Sequence, residues 1–258
     1  MRETWLGYDA VADIYEYDMG KNMPFDDIGY YVRHATQPGG EVLDLGCGIG
    51  RVTLALLNEA LSVTAVDASS RMLQRLRHAR ANLTPDLAQR LRVIQMDLRR
   101  WDLDSKFATI LCSYSLFTYF VEQNEYSSVL DSVRKCLLHG GQFICDAFIP
   151  RQLPFGQAIR DYRRRLPDGS ILTRSKVIVP EGTEGVYRIT RHYERSWGSN
   201  IRQGFTTSEL IRPWCPDALE VVLKHHSFEI LARDLDYGTS LDETSAHFAT
   251  FRCRQKPG

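Results

Sequence analysis

The sequence has no excess of either charge: Lys plus Arg and Asp plus Glu both number 32 among 258 residues. Without a global positive field, non-specific phosphate neutralisation is weak, so a nucleic-acid partner is disfavoured. No apolar run approaches the ~20 residues of a membrane span, and Met1-Arg2-Glu3-Thr4-Trp5 has no apolar leader core. These absences predict a soluble, cytoplasmic protein with no membrane partner. There is no Cys-x-x-Cys among the six cysteines at 47, 112, 136, 145, 215 and 253. Cys112 and Cys145 fall in apolar strands, so buried free thiols are expected rather than a disulfide framework or a metal site. Repeats and low-complexity tracts are also missing, and 43% hydrophobic residues exclude a disordered chain. One domain, or one domain with an insertion, fits this length.

What is present is an alternation of strands and helices. Glu41–Leu45 reads as a strand, about 51–60 as a helix, 61–66 as a strand ending at Asp67, and a helix capped by Ser69 or Ser70 follows. Strands at 91–96, 107–112 and 142–146 and a helix at 123–138 complete five βα units, which predicts a parallel sheet. Ahead of them, two short helices separated near Pro24 are expected. After them, alternating stretches at 171–179 and 185–197 predict antiparallel hairpins. Thr206-Thr207-Ser208-Glu209 reads as a capping box, Pro216 opens a helix to about His225, and strands at 228–234 and 247–254 finish the chain. The predicted fold is α/β, a doubly wound, seven-stranded, mostly parallel sheet with an antiparallel β insertion after strand 5. Residues 1–147 and 206–258 are expected to form the core with a helical lid, and 148–205 an antiparallel insertion laid on the main sheet.

The main chemical signal is Asp44-Leu45-Gly46-Cys47-Gly48-Ile49-Gly50, between a strand and a helix. Glycines let the backbone turn sharply and a ligand approach closely. The spacing is Gly-x-Gly-x-Gly, not the Gly-x-Gly-x-x-Gly of dinucleotide folds, and Asp44 suits a cationic ammonium better than a pyrophosphate. Both features disfavour a NAD-dependent oxidoreductase. Asp67, at the second strand's end, is placed to accept from a ribose diol, with Ala68 and Met72 along an adenine face. Asp97, at the third strand's end, can accept from an exocyclic amine while the Leu98 amide reaches a ring nitrogen.

These residues carry a family resemblance. Glu41 to Gly50 resembles the glycine-rich first motif of class I S-adenosylmethionine-dependent methyltransferases. Ala65-Val66-Asp67-Ala68-Ser69, Gln95-Met96-Asp97-Leu98 and Leu138-His139-Gly140-Gly141-Gln142-Phe143 resemble their later motifs. The resemblance implies S-adenosyl-L-methionine as cofactor, a loop of Gly46, Cys47, Gly48 and Gly50, Asp67 on the ribose, and Asp97 and Leu98 on the adenine. Segment 112–117, with Ser113, would run beneath the methionine portion. The Asn-Pro-Pro-Tyr of nucleic-acid amino methyltransferases does not occur. Residues 7–18 are similar to the opening of glycine- and sugar-amine N-methyltransferases, which makes Tyr8, Tyr15 and Tyr17 candidates to close over cofactor and substrate.

The implied reaction is methyl transfer to nitrogen or oxygen of a small molecule by in-line displacement. It needs no metal; a hydroxyl acceptor would benefit from a base. His192 is the candidate base, with Tyr17 as a second catalytic candidate; His139 and His247 are weaker ones. Arginines at 151, 160, 163, 164, 165, 174, 188, 191, 195 and 202 crowd the insertion, and aromatic residues accompany them. The acceptor is therefore expected to be anionic or aromatic, and the alternative is an RNA or protein methyltransferase binding its acceptor through those arginines. A family member with another reaction, and monomer against homodimer, stay open.

Overall fold

Val42–Leu45 (β1) and Phe107–Cys112 (β4) are buried along their whole length, as apolar runs must be where helices cover both faces of a parallel sheet. The computed structural model describes residues 5–18, 23–150, 154–198 and 201–256; of Trp5, Leu6, Ile201 and Arg202 only the backbone is described. Around β1 and β4 lie Val63–Asp67 (β2), Leu91–Gln95 (β3), Leu137–Phe148 (β5), Phe228–Leu235 (β10) and Phe248–Gln255 (β11). The order is β10-β11-β5-β4-β1-β2-β3. Strands β1 to β5 are parallel, and β11 runs antiparallel to β5 and β10. The chain's direction across the sheet reverses between β1 and β4, so the loops leaving these two strands open a crevice at their carboxyl ends.

Two apolar layers cover the sheet. On one face Leu43, Leu45, Phe107 and Ile110 pack against Val129 and Leu130 of Gln123–Cys136 (α7) and Leu219 of Pro216–His225 (α8). On the other, Val42, Leu111 and Ile144 meet Tyr31 of Asp27–Thr36 (α3), Leu56 of Arg51–Asn58 (α4) and Leu73 of Ser70–Ala81 (α5). Ser69 is the α5 cap and accepts from the Met72 amide at 3.1 Å, which satisfies a first-turn donor. A short helix at Pro85–Gln89 (α6) was not foreseen. Five cysteines are buried and Cys215 is exposed, all as free thiols. Among the described residues, no helix is long and apolar enough to cross a membrane.

Between β5 and α8 stands a second sheet, Ile159–Arg165 (β6), Ile171–Pro180 (β7), Tyr187–Trp197 (β8) and Ile201–Ile211 (β9), all antiparallel. Thr206-Thr207-Ser208-Glu209 is therefore strand, not a helix cap, and the inserted sheet runs six residues past the expected boundary at 205. Thr207 and Glu209 are buried and Thr206 and Ser208 exposed. That is a period of two made from polar residues.

The amino-terminal segment forms Trp5–Val11 (α1) and Tyr15–Asp18 (α2) before α3, so the chain bends once more than the sequence pattern suggests. Residues 1–4 and 19–22 of the expected lid lie outside the described residues. Asp18 is fully buried under the inserted sheet. It accepts from the Tyr162 hydroxyl at 2.6 Å, the Tyr193 hydroxyl at 2.9 Å and Arg174 Nη1 at 2.5 Å. On α1, Gly7 lies so close to Glu209 that an added Cβ would come within 2.0 Å of its carboxylate.

Asp146, near the end of β5, is likewise fully buried. Its Oδ2 accepts from the hydroxyls of Tyr31 and Tyr237, each at 2.5 Å, and from the Tyr114 amide at 3.0 Å; its Oδ1 accepts from the Ser115 amide. One carboxylate thus ties α3, the turn after β10 and the loop after β4 together.

Asp146→Asn would turn one acceptor into a donor facing a donor. It is expected to lower unfolding stability by about 3 kcal/mol, read as a lower urea midpoint. Gly7→Ala, which at an ordinary helical site stabilises by up to about 1 kcal/mol, should instead lower the melting temperature, because its Cβ displaces Glu209.

Candidate functional site

The β1 turn builds the floor of the crevice. Gly46 and Gly48 have φ of +66° and +56°, a region costly for other residues. A Cβ on Gly46 would strike Leu116 at 2.4 Å, whereas one on Gly48 would meet only the Tyr15 ring at 4.0 Å. Gly48 therefore faces open cleft. Gly50 does not: it starts α4, and a Cβ there would hit Leu76 of α5 at 2.4 Å. Its role is close packing of helix on helix. Cys47 is also turned away; it is buried among Val52 and Leu73, and burial raises its thiol well above the ordinary value.

The cleft is lined by Gly46, Gly48, Asp67, Ala68, Met72, Asp97, Leu98 and Ser113, by Tyr8 and Tyr15 of the amino-terminal segment and by Tyr114 and Leu116 of segment 112–117, all expected, together with Arg99, Tyr119 and Phe120. Asp67 Oδ2 accepts from the Gly48 amide and Oδ1 from the Ser69 amide, both at 2.8 Å. These bonds pin the carboxylate while leaving each oxygen a second lone pair. Asp97 caps the short turn Leu98–Arg100, and both its oxygens accept from the Arg99 guanidinium. Arg99 was not recognised in the sequence; its contacts with Asp97 and, at 3.7 Å, Glu125 bring it to the cleft wall.

Asp44 does not reach the cleft wall. It is buried beneath the loop, where Oδ2 accepts from the Thr53 hydroxyl at 2.6 Å and Oδ1 has no partner. Desolvation lifts its carboxyl to about 6, against an ordinary 3.8.

Across the cleft, Ser113-Tyr114-Ser115 leaves β4. Tyr114 and Ser115 have φ of +59° and +55°, a strained conformation for such residues, fixed by their two amides on Asp146. Beyond them opens a chamber of about 530 Å³ under the inserted sheet. Tyr8, Tyr114 and Tyr119 line both spaces. The Tyr8 hydroxyl donates to Tyr119 at 2.6 Å, and Arg191 Nη2 donates to Tyr119 at 3.4 Å. Burial raises the Tyr8 hydroxyl well above its usual range and the Tyr114 hydroxyl to about 12. Both stay protonated near neutrality.

Neither catalytic candidate from the sequence is here. His192 is exposed on the outer face of β8, with Nδ1 3.0 Å from the Thr206 hydroxyl. The alternation of β8 was read correctly, but strand parity alone does not say which face points inward; Arg191 does. Tyr17 packs against the Tyr162–Tyr193 cluster, away from both spaces, and Tyr15 takes the place over the glycine loop. His247 is in the chamber wall, while His139 is exposed at its turn. Tyr119 sits in Leu116-Phe117-Thr118-Tyr119-Phe120, directly after β4; its distance from a strand end was the signal available for it. Arg151 and the side chain of Arg202 lie outside the described residues.

Comparison with known proteins agrees with this layout. Residues 42–141 match the family described as a methyltransferase domain. The cypemycin N-terminal methyltransferase of a Streptomyces species is 31% identical over 148 residues, 56% of this chain and 58% of that protein. The chain spans a little over half the length of the curated relatives it matches. Among solved structures, the CcbJ methyltransferase of Streptomyces caelestis superposes with a TM-score of 0.83 over 100% of both chains at 19% identity. CalS10 of Micromonospora echinaspora, an amino pentose methyltransferase, gives 0.71 over 94% of this chain and 97% of its own at 17% identity; at such identities the likeness speaks for the fold. Residues 42–141, with the glycine loop, Asp67 and Asp97 at successive strand ends, thus match a methyltransferase domain, and the fold is that of S-adenosylmethionine-dependent methyltransferases.

Proposed function

We propose that this protein transfers the methyl group of S-adenosylmethionine to a nitrogen or oxygen of a small molecule held in the chamber under the inserted sheet. The observation that carries this reading is the junction: Tyr8, Tyr114 and Tyr119 border the glycine-loop cleft and the chamber at once. A reacting atom placed on one side of these rings faces the other side directly.

The residues present fit the cofactor. Asp67 offers two pinned acceptor oxygens to a ribose diol, Asp97 and the Leu98 amide border the space for a base, and open space lies over Gly48. Asp44 Oδ1 is a buried carboxylate oxygen without a partner, suited to a cationic ammonium directly or through water. When bound, S-adenosylmethionine supplies a methyl on a sulfonium for in-line displacement. The chain's own part is alignment and exclusion of water. The left-handed turn at Tyr114 and Ser115, held by Asp146, sets the wall beside the reacting atoms, and α1 and the inserted sheet close over them. Tyr8 and Tyr119 present hydroxyls and ring faces, which favour a cation nearby. For a hydroxyl acceptor, His247 in the chamber wall can take the proton; a neutral amine needs none.

The arginines of the inserted sheet also support a small acceptor over RNA or protein. Arg174 is held by Asp18 and Asp161, Arg188 by Glu181, Arg191 by Glu209 and Arg195 by Asp168. The charge of these four arginines is largely neutralised in place.

Incubation with methyl-labelled S-adenosylmethionine and a metabolite extract should place label in a low-molecular-weight compound; label only in protein or RNA would overturn the reading. Asp67→Ala should weaken S-adenosylhomocysteine at least about tenfold, equivalent to ~1.4 kcal/mol, by calorimetric titration, with the fold retained. The pH dependence has a defined sign. Asp44 takes up its proton near 6 when folded and near 3.8 when unfolded, so its ionised form costs stability above pH 6 and that cost is relieved as pH falls toward 3.8. Cofactor affinity should move the opposite way, dropping as pH falls through about 6. Asp44→Asn should bind weakly without that dependence.

A further inference from the structure

A chain of ion-paired charges crosses the inserted sheet on the face toward the chamber, with Lys176 and Arg191 on one rung and their acids displaced from it on the outer strands. Asp161 of β6, Lys176 of β7, Arg191 of β8 and Glu209 of β9 run in the order negative, positive, positive, negative. Asp161 and Lys176 pair at 2.9 Å, and Arg191 and Glu209 at 2.6 Å. Lys176 and Arg191 are direct partners in the β7–β8 ladder, and both line the chamber. Like charges directly opposite on neighbouring strands are destabilising. Their acids stand on the outer strands, not between them.

The charges facing the cavity are uneven as well. Lys176, Arg191 and Arg174 line it against one acid, Asp161. Asp18 and Glu209, the other counterions, border a separate small space under α1, which Arg191 also lines. A local rule broken where a cavity opens is what a binding site looks like.

Two residues further along the same face comes the next directly opposed pair, Ile178 and Ile189, with Ile211 beside them. Residues two apart in a strand are about 7 Å apart. On the other side, Arg191 touches Tyr119 at the cofactor junction. The chamber thus presents, in sequence, the junction, a pair of facing cations and an apolar wall.

We infer that Lys176 and Arg191 form an oxyanion subsite, and that the methyl acceptor carries a carboxylate or phosphate between them with an apolar body against Ile178, Ile189 and Ile211. This inference rests on the reading of the chamber as the acceptor site. An anion with two or more oxygens can accept from both cations and complete the alternating row. Charge-assisted bonds of this kind are stronger than neutral ones. The Lys176 ammonium has three donors, of which Asp161 engages one. An acceptor lacking the anion would leave two like charges facing each other, so the pair also selects against neutral analogues.

The test uses the protein saturated with S-adenosylhomocysteine, titrated calorimetrically with phenylacetate, phenyl phosphate and the neutral phenylacetamide. At least one anion should bind about tenfold or more tighter than the amide, and the tighter of the two identifies the group. Lys176→Gln should bring anion and amide to within about twofold, and Lys176→Glu should abolish anion binding. Asp161 keeps Arg174 in these variants, and unchanged S-adenosylhomocysteine affinity confirms that they fold. Equal binding of anion and amide, no anion binding at millimolar concentration, or an anion preference unchanged in Lys176→Gln would overturn the inference. Repeating the anion titrations without S-adenosylhomocysteine separates the two readings: a protein that fails to take S-adenosylhomocysteine but still prefers anions through Lys176 refutes the cofactor assignment and not the subsite.

Discussion

A single buried carboxylate holds the carboxyl end of the parallel strands together. Asp146 sits near the end of β5 and gathers four donors, from Tyr31, Tyr237, Tyr114 and Ser115. An ionised group so deep is costly unless its lone pairs are filled, and here donors from three separate parts of the chain fill them. Burial still pushes its carboxyl upward while the hydrogen bonds from Tyr237, Tyr31 and the two amides pull it down. The same bonds hold Tyr114 and Ser115 in a conformation they would not otherwise adopt, and those residues divide the cofactor cleft from the chamber.

A second buried carboxylate, Asp18, does the corresponding work for the cover. It binds α2 to Tyr162, Tyr193 and Arg174 of the inserted sheet, so the amino-terminal segment and the roof are one assembly. Glu209 adds a third tie through Arg191, close against Gly7 of α1. The polar interior of the roof is thus a set of paired charges, and within it Lys176 and Arg191, each paired with its own acid, face one another over the chamber.

The core was legible because its signals are local. An apolar run, a turn of glycines and an acid at the next strand end lie within about 25 residues; they located β1 and β2, and Gly46, Gly48 and Asp67 come together at the wall of one cleft. Asp44 and Gly50 were less legible for a physical reason: the loop pattern shows that they belong to the turn, but only packing shows that one lies under it and the other against α5. The roof was less legible. Strand β6 buries chiefly Tyr162 amid arginines, and β9 buries Thr207 and Glu209, so neither shows the hydrophobic alternation that reveals a strand. Glu209 reads as a surface or capping residue because its partner, Arg191, is 18 residues away. His192 and Tyr17 were each one or two positions from the residues that face the site, Arg191 and Tyr15, since parity on a short element has no absolute direction in sequence. Asp146 had no local signal, as its donors span residues 31 to 237.

The central claim is that the glycine-loop cleft and the roofed chamber meet at Tyr8, Tyr114 and Tyr119 to form one reaction space. A crystal structure of the complex with S-adenosylhomocysteine tests it most directly. The account predicts the ribose on Asp67 and the sulfur at the three tyrosines, facing the chamber. A nucleoside bound elsewhere, or a sulfur facing away from the chamber, would contradict it.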